Sequence, residues 1–254
     1  MARSFNGSTQ YLENTSLANP TLPITISAWF YANSTSGFQR VAAWQRADGL
    51  QIAGSILLNY PSAGYVSNQV YFNPTPNSLP SSAGTFSTST WNHACVVSGA
   101  TSAITYLNGT AGTPTTYSTP TFSGVTYFEI ARLIGTQYFS GRVCEVGVYI
   151  AELTAADAAA LADGYTPLQI RPQSLVAYYP LGGHYGQLDL DRWRNRYDMT
   201  PSGSPTWADH PRVFYPRRSF WFPSLSEAAP PSSTKYSWWA WNTFGTPLDH
   251  DARC

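Results

Sequence analysis

The chain has 254 residues, with 14 basic and 14 acidic side chains and only 11% charged residues in all. A formal net charge of zero provides no field that would attract nucleic acid or an acidic membrane, so neither partner is expected. No apolar run is long enough to cross a bilayer, and the N-terminus lacks the apolar region of a signal peptide. We therefore expect a protein that acts outside membranes.

Short segments before residue 151 alternate between apolar and polar residues, which is the period of half-buried strands. In residues 24–32, for example, Ile24, Ile26 and Phe30 fall on one face. Similar segments are "RVAAWQR", "GSILLNY", "NQVYFN", "NHACVVSG" and "SAITYLNG", separated by clusters of Gly, Pro, Asn and Ser. The Asn-Gly pair within residues 106–112 favours a tight hairpin turn. Many short strands joined by turns predict an antiparallel sandwich.

A change of period follows in the next part of the chain. Residues from Arg142 to Ile150 alternate as a strand does. Thr154 can then cap a helix start, and Asp157 three residues later completes a short capping box. Gly164 supplies a C-terminal stop. The pattern predicts a core strand that leads directly into one short helix.

The composition changes after about residue 170, where tryptophan and proline become frequent. The last part combines prolines, which break helix and sheet, with aromatic side chains that are too apolar to be left in water. These side chains are Phe220, Trp221, Phe222, Trp238, Trp239 and Trp241. We predict three parts: a sandwich over residues 1–170, a strand-and-loop extension packing on it over 171–216, and an extended arm over 217–254. The arm is expected to wrap on its own sandwich or to pack on a neighbouring subunit.

The order of the motifs resembles a known family. The motifs are "FNGSTQYLE", "ITISAWFYA", "WNHACVVSG", "ITYLNGT" and "YFSGRVCEVGVYIAELTAADAAAL". Over roughly residues 3–167 they resemble the concanavalin A-like, laminin G-like (pentraxin-like) jelly-roll family. The resemblance implies an all-β antiparallel sandwich in which the last core strand returns beside the first and a short helix follows it. The segment that begins "SLVAYYPLGG" looks like an extension that follows such domains in virion proteins of tailed bacteriophages.

The resemblance also implies calcium as the usual cofactor, bound by carboxylate and carbonyl oxygens. Many relatives have an acid-rich opening motif, whereas this chain has Asn6, Ser8, Thr9 and Gln10 in the matching places. Neutral oxygens can still bind a cation, but the charge that gives affinity is missing. We therefore expect no calcium, no other metal and no cofactor.

Some members of the superfamily are glycosidases, which need two carboxylates about 5–9 Å apart across a cleft. Glu145 has no second acid on its strand. Asp189 and Asp191 share a face if the chain is extended, but the arginines that follow would hold both acids ionised. The sequence therefore predicts no hydrolase.

Two residue types that could serve as a nucleophilic pair lie close together in one predicted strand. His93 and Cys95 share a strand face, but Cys95 has no orienting partner, so we expect a structural histidine. Cys95 and Cys144 both lie in apolar strand patterns. They could pair as a disulfide, and two buried free thiols are the expected alternative.

The remaining class of function is the recognition of a ligand without catalysis. Aromatic faces stack on sugar rings, and amides or carboxylates bind the hydroxyls. The candidate carbohydrate-binding residues are Trp44, Gln45, Asp48, Tyr60, Tyr65 and Asn73. Trp44 is also compatible with a core position.

Two hypotheses from different classes follow from the sequence. The first is a non-enzymatic structural protein of a virion, such as a head decoration, fibre or tail component. It would be exposed on the particle, homo-oligomeric, and anchored to a capsid or tail protein by the arm. The alternative is a lectin-like module that binds host or environmental glycans. A glycoside hydrolase is a third hypothesis, weakened by the missing pair of carboxylates.

Overall fold

The computed structural model describes residues 1–71, 81–182, 190–193 and 196–215. Residues 1–216 form one compact unit. The predicted arm, 217–254, lies outside the described residues, and its docking stays a prediction.

The described residues form sixteen strands, one α-helix and two 3-10 helices. The strands are β1 (Ala2–Asn6), β2 (Tyr11–Asn14), β3 (Ile24–Ala32), β4 (Gln39–Gln45), β5 (Ile52–Leu58), β6 (Tyr65–Asn68), β7 (Ser81–Thr85), β8 (Trp91–Ser98), β9 (Ser102–Leu107), β10 (Thr110–Ala111), β11 (Thr115–Thr116), β12 (Tyr127–Ile130), β13 (Ser140–Tyr149), β14 (Leu175–Tyr179), β15 (Thr200–Ser202) and β16 (Thr206–Ala208). The α-helix α1 spans Ala155–Ala162, and the 3-10 helices span Pro167–Gln169 and Pro172–Ser174.

The strands make two antiparallel sheets, which confirms the predicted sandwich. Sheet A has the order β10-β9-β8-β3-β13-β1-β16, with β11 beside β9 and β14 beside β13. Sheet B has the order β15-β2-β12-β4-β5-β6-β7. The last core strand, β13, pairs with β1, as the family resemblance implied. The turn predicted between β9 and β10 is also present, with positive φ at both Asn108 and Gly109.

The main core fills the space between the two sheets. Ile26 and Phe30 of β3 are fully buried there, in the same apolar cluster as Phe128 of sheet B. Successive residues of a strand point to opposite sides, so Trp29 and Tyr31 lie on the outer face of sheet A. Fully burying an apolar side chain of this size stabilises the fold by roughly 1.5–3 kcal/mol.

The predicted helix follows β13 directly. The Thr154 side chain accepts from the Asp157 backbone N–H, and the Asp157 carboxylate accepts from the Thr154 backbone N–H, which completes the capping box. Gly164, at φ 102°, follows the helix end. Ala158 and Leu161 pack in a second apolar cluster on the outer face of sheet A. No helix within the described ranges is long and apolar enough to span a bilayer.

The extension adds strands to both sheets. Strand β14 pairs with β13, β15 pairs with β2, and β16 pairs with β1. The described strands of the predicted extension, β14, β15 and β16, are therefore hydrogen-bonded members of the two sheets.

The two cysteines predicted in strands are both buried and free. Cys144 belongs to the main core, whereas Cys95 lies in the cluster under α1. The structure therefore shows two free thiols and no disulfide between them.

Candidate functional site

Trp44, the first residue predicted to bind a sugar, is a core residue. Its side chain is 2% exposed, and its indole N–H donates to the carbonyl of Val125 at 3.2 Å. Side chains along β4 alternate between the two faces of sheet B, and that of Trp44 points between the sheets. Its ring is therefore not available for stacking on a sugar. The core position is the correct interpretation of this tryptophan.

Gln45 lies in a polar network on the outer face of sheet B. Its amide donates to Glu129, which is fully buried and also accepts from the backbone N–H of Ile134 at 2.8 Å. Arg132 binds Glu129 and reaches Glu13 at 3.1 Å. Gln45 is thus held inside the protein and is not a surface contact.

This network contains a pair of carboxylates that the sequence analysis missed. Glu13 and Glu129 are direct neighbours on the adjacent strands β2 and β12. The pattern along one strand cannot reveal such a pair, because it depends on register between strands. Burial raises the pKa of Glu129, but its lack of exposure keeps it away from any substrate. Arg132 bridges the two acids, so they form an ion-pair network and not an open catalytic pair.

Arg40 also lies in sheet B and is 1% exposed. It donates to the side-chain oxygens of Gln137 at 2.8 Å, Ser55 and Gln69, which are neutral groups. Burial lowers the pKa of Arg40 to about 9. Its role is structural, since a ligand has no access to it.

The remaining predicted contacts lie in separate loops. Arg46 donates to Asp48 from two nitrogens, and this bond lowers the pKa of the Asp48 carboxyl. Tyr60 packs against the exposed Phe38, with ring centroids 5.7 Å apart. Tyr65 is half-buried at the start of β6. These residues form no common cluster.

Some sequence-based candidates cannot be placed. Asn73, Asp189 and the aromatic residues of the arm lie outside the described residues. Asp191 is fully buried and accepts from the backbone N–H groups of Tyr178 and Trp193, so it organises a loop.

The outer face of sheet A brings together a row of side chains suited to binding. One residue from each of the strands β8, β3, β13, β1 and β16 lies in register with the next: Trp91, Tyr31, Arg142, Ser4 and Thr206. Trp91 packs on Tyr31 with ring centroids 5.8 Å apart, and the Arg142 guanidinium lies 4.5 Å from the Tyr31 ring centroid. None of these side chains is fully buried.

A second row lies beside the first, toward one end of the sheet. It contains Asn33, Ser140 and Asn6. Each of them lies two residues along its strand from a member of the first row, and its side chain therefore points to the same outer face. The Asn33 amide donates to the Ser140 hydroxyl at 3.2 Å, and both asparagines are exposed. We call the two rows together the sheet A platform. It joins aromatic rings, one cation, hydroxyls and the amide of Asn33 on a single accessible surface.

His93 lies beside the platform and is structural, as predicted. It packs on Trp29 with ring centroids 5.4 Å apart and is 1% exposed. Burial lowers the pKa of His93 to about 3, so the ring is neutral at physiological pH. With Cys95 buried under α1, the two residues cannot serve as an exposed nucleophilic pair.

Glu145 forms a closed cluster next to the platform. It sits at a β-bulge in β13 with φ 53° and is 2% exposed. Its carboxylate accepts from the hydroxyls of Tyr178 and Tyr215, and His210 Nε2 lies 3.0 Å from it. A carboxylate enclosed by three protein partners is not open to a substrate.

The opening motif discussed for calcium forms a turn closed by its own groups. The Asn6 side-chain oxygen accepts from the backbone N–H groups of Ser8, Thr9 and Gln10 at 3.0–3.2 Å. Among the described residues, no group of three or more His, Cys, Asp or Glu side chains could hold a metal ion.

The family follows from comparison with known sequences. The model of the concanavalin A-like lectin/glucanases superfamily matches residues 6–159, more than half of the chain. The chain belongs to this superfamily. A comparison of the chain with curated proteins found no significant match.

Solved structures share the fold of this superfamily member. A candidate carbohydrate binding protein from Bacteroides ovatus has a TM-score of 0.58 and 18% identity, covering 81% of this chain and 58% of that chain. The heptameric SAP-like pentraxin of Limulus polyphemus has a TM-score of 0.51 and 16% identity, covering 63% and 81%. The CBM40 of Ruminococcus gnavus IT-sialidase, bound to α2,3-sialyllactose, has a TM-score of 0.51 and 16% identity, covering 63% and 96%. At such low identity these likenesses show the fold alone.

Proposed function

We propose that this protein is a non-catalytic carbohydrate-binding module of the lectin type and that the sheet A platform is its binding surface. The observation that carries the proposal is the register of Trp91, Tyr31 and Arg142 beside the exposed amide of Asn33. Family membership supports the same class of function.

The chemistry of the platform fits a sugar. Aromatic rings offer an apolar face to the C–H groups of a pyranose, whereas planar amides and a guanidinium bind its hydroxyls. A rigid sheet holds these groups in fixed positions, so little conformational entropy is lost on binding. The platform therefore supplies both terms, apolar contact and directed hydrogen bonds.

Two buried acids of the described residues are closed to a substrate, which supports binding without hydrolysis. Glu129 is buried and bonded to Arg132, and Glu145 is enclosed by two tyrosines and a histidine. A glycosidase needs one carboxylate facing the substrate on each side of the scissile bond. We expect no release of reducing ends from β-glucans or galactans.

The test is a glycan array with the full chain, followed by titration calorimetry with the glycans that bind. Trp91→Ala and Asn33→Ala should each lower affinity, the former by about tenfold or more, because aromatic anchors supply much of the binding energy. Tyr60→Ala is the matched control, since Tyr60 belongs to a separate hairpin. Circular dichroism spectra should be unchanged in all three variants.

Two results would overturn the proposal. One is an array without any bound glycan, and the other is binding that survives Trp91→Ala and Asn33→Ala in folded protein. Loss of binding in Tyr60→Ala alone would instead place the site in the loops that the sequence analysis favoured.

The virion role, the homo-oligomer and the arm as an anchor to another virion protein stay predictions from the sequence. The family and the fold support carbohydrate binding in preference to them. The two functions are compatible, because a particle component can also bind glycans.

A further inference from the structure

Arg142 is the single charged side chain of the sheet A platform. It lies in the same rank as Tyr31 and Trp91, and its side chain is 31% exposed. Its guanidinium lies over the Tyr31 ring, 4.5 Å from the centroid. Stacking of this kind fixes the plane of a guanidinium and orients its N–H groups for a planar, bidentate partner. The platform thus presents a preorganised cation.

The acid that faces Arg142 is easily exchanged. Asp209 Oδ2 lies 3.8 Å from Arg142 Nη1, which is too long for a hydrogen bond. The Asp209 side chain is 97% exposed, so water and salt screen the contact. A ligand carboxylate that bonded both terminal nitrogens would replace this contact with a better one.

Glu145, the buried acid on the same strand, does not compete for Arg142. Its oxygens are occupied by Tyr178, Tyr215 and His210. The Glu145 oxygens are therefore bonded within their own cluster and not to the platform. Arg142 is left with Asp209 as its acidic contact.

We propose that the ligand of the sheet A platform is an acidic sugar. Its carboxylate takes the place of Asp209 at Arg142, while its ring packs against Trp91 and its hydroxyls bind Asn33 and Ser140. The proposal rests on the proposed carbohydrate-binding function and adds the charge of the ligand. A uronate and a sialate offer the same carboxylate, and the probes below distinguish them.

The experiment measures binding of three probes to the full chain by titration calorimetry: a galacturonate trimer, sialyllactose and lactose as the neutral control. Arg142→Gln should lower the affinity for an acidic probe by about tenfold or more, and Arg142→Lys should retain part of it because the charge remains. Asp209→Asn should raise that affinity by about two- to fivefold, since it removes a competing carboxylate. Lactose binding should respond little to any of these changes.

Each outcome decides the proposal. Tighter binding of either acidic probe than of lactose, lost in Arg142→Gln, supports it and identifies the source of the carboxylate. Equal binding of all three probes, or an Arg142→Gln protein that is folded and binds acids normally, overturns it. Lactose binding that depends on Trp91 would then still uphold the proposed function. Failure of both acidic probes to bind also overturns it, and the glycan array decides separately on carbohydrate binding.

Discussion

Removing the Glu145 carboxylate should destabilise the protein more than any other change to a single acid of the sheet A outer face. The carboxylate is 2% exposed and has three partners, Tyr178, Tyr215 and His210. His210 Nδ1 also lies 2.6 Å from the carbonyl oxygen of Pro211. Both ring nitrogens of His210 therefore face oxygen atoms of other residues. The imidazole and the two tyrosine hydroxyls close the Glu145 carboxylate off from solvent.

The magnitude follows from this geometry. Glu145→Leu leaves two hydroxyls and an imidazole without their buried acceptor, and because each unsatisfied polar group costs about 1–3 kcal/mol, we expect a loss of about 3–5 kcal/mol. Glu145→Gln keeps an acceptor oxygen but loses the charge, so we expect about 1–2 kcal/mol, the difference between charged and neutral hydrogen bonds. For a folded unit of this size, about 4 kcal/mol corresponds to a fall in Tm of roughly 8–16 °C.

The assay is urea unfolding followed by circular dichroism, with Glu145→Gln, His210→Gln and the double variant combined in a cycle. The coupling energy between the two residues should lie at about 0.5–3 kcal/mol, the range for side chains that share one hydrogen-bond network. Glu152→Gln is the control, since Glu152 is exposed and should change stability by no more than about 0.5 kcal/mol. A cost below about 1 kcal/mol for Glu145→Leu, or no coupling between Glu145 and His210, would refute the argument that the buried carboxylate holds these partners.

Other changes have equally specific outcomes. His93 has a pKa of about 3 when folded against about 6.5 when unfolded, so the unfolded chain binds the extra proton between these values. Stability should therefore fall by about 1.4 kcal/mol per pH unit as pH drops through that window, and urea titrations of His93→Gln should lack this slope. Trp44→Ala should cost about 3–5 kcal/mol by urea unfolding, yet leave glycan affinity unchanged in folded protein, because Trp44 is in the core. Melting curves with calcium and with chelator should coincide, whereas a site saturated a hundredfold would add about 2.7 kcal/mol.

Features set by short-range pattern could be predicted from the sequence. The alternation in β3 and β13 depends only on which side chains face the core, and it is seen in the burial of Ile26 and Phe30. The helix start depends on Thr154 and Asp157, three residues apart, and the capping box is present. Each signal lies within a few residues, so no knowledge of the tertiary pairing was needed.

Features set by the register between distant strands could not be predicted from the sequence. Trp91, Tyr31 and Arg142 form a rank only because β8, β3 and β13 pair in one alignment, and each residue alone resembles an ordinary strand position. Glu13 and Glu129 meet for the same reason on sheet B. The position of Trp44 was equally hard to predict. Neighbouring residues of a strand point to opposite faces of the sheet, so the sequence alone left both a core and a binding position open for Trp44.

The helix that the sequence predicts also sets the extent of the platform. It covers the part of the outer face of sheet A where Cys95 and Tyr106 are buried with Ala158 and Leu161. Two residues along β8 from Cys95 lies His93, and two further lies Trp91, which is only half-buried. Apolar contacts stabilise the fold in the covered part. The uncovered part carries aromatic rings, an amide and a cation. A binding surface on this face is therefore bounded by the helix at one end, and extending α1 across Trp91 would close it.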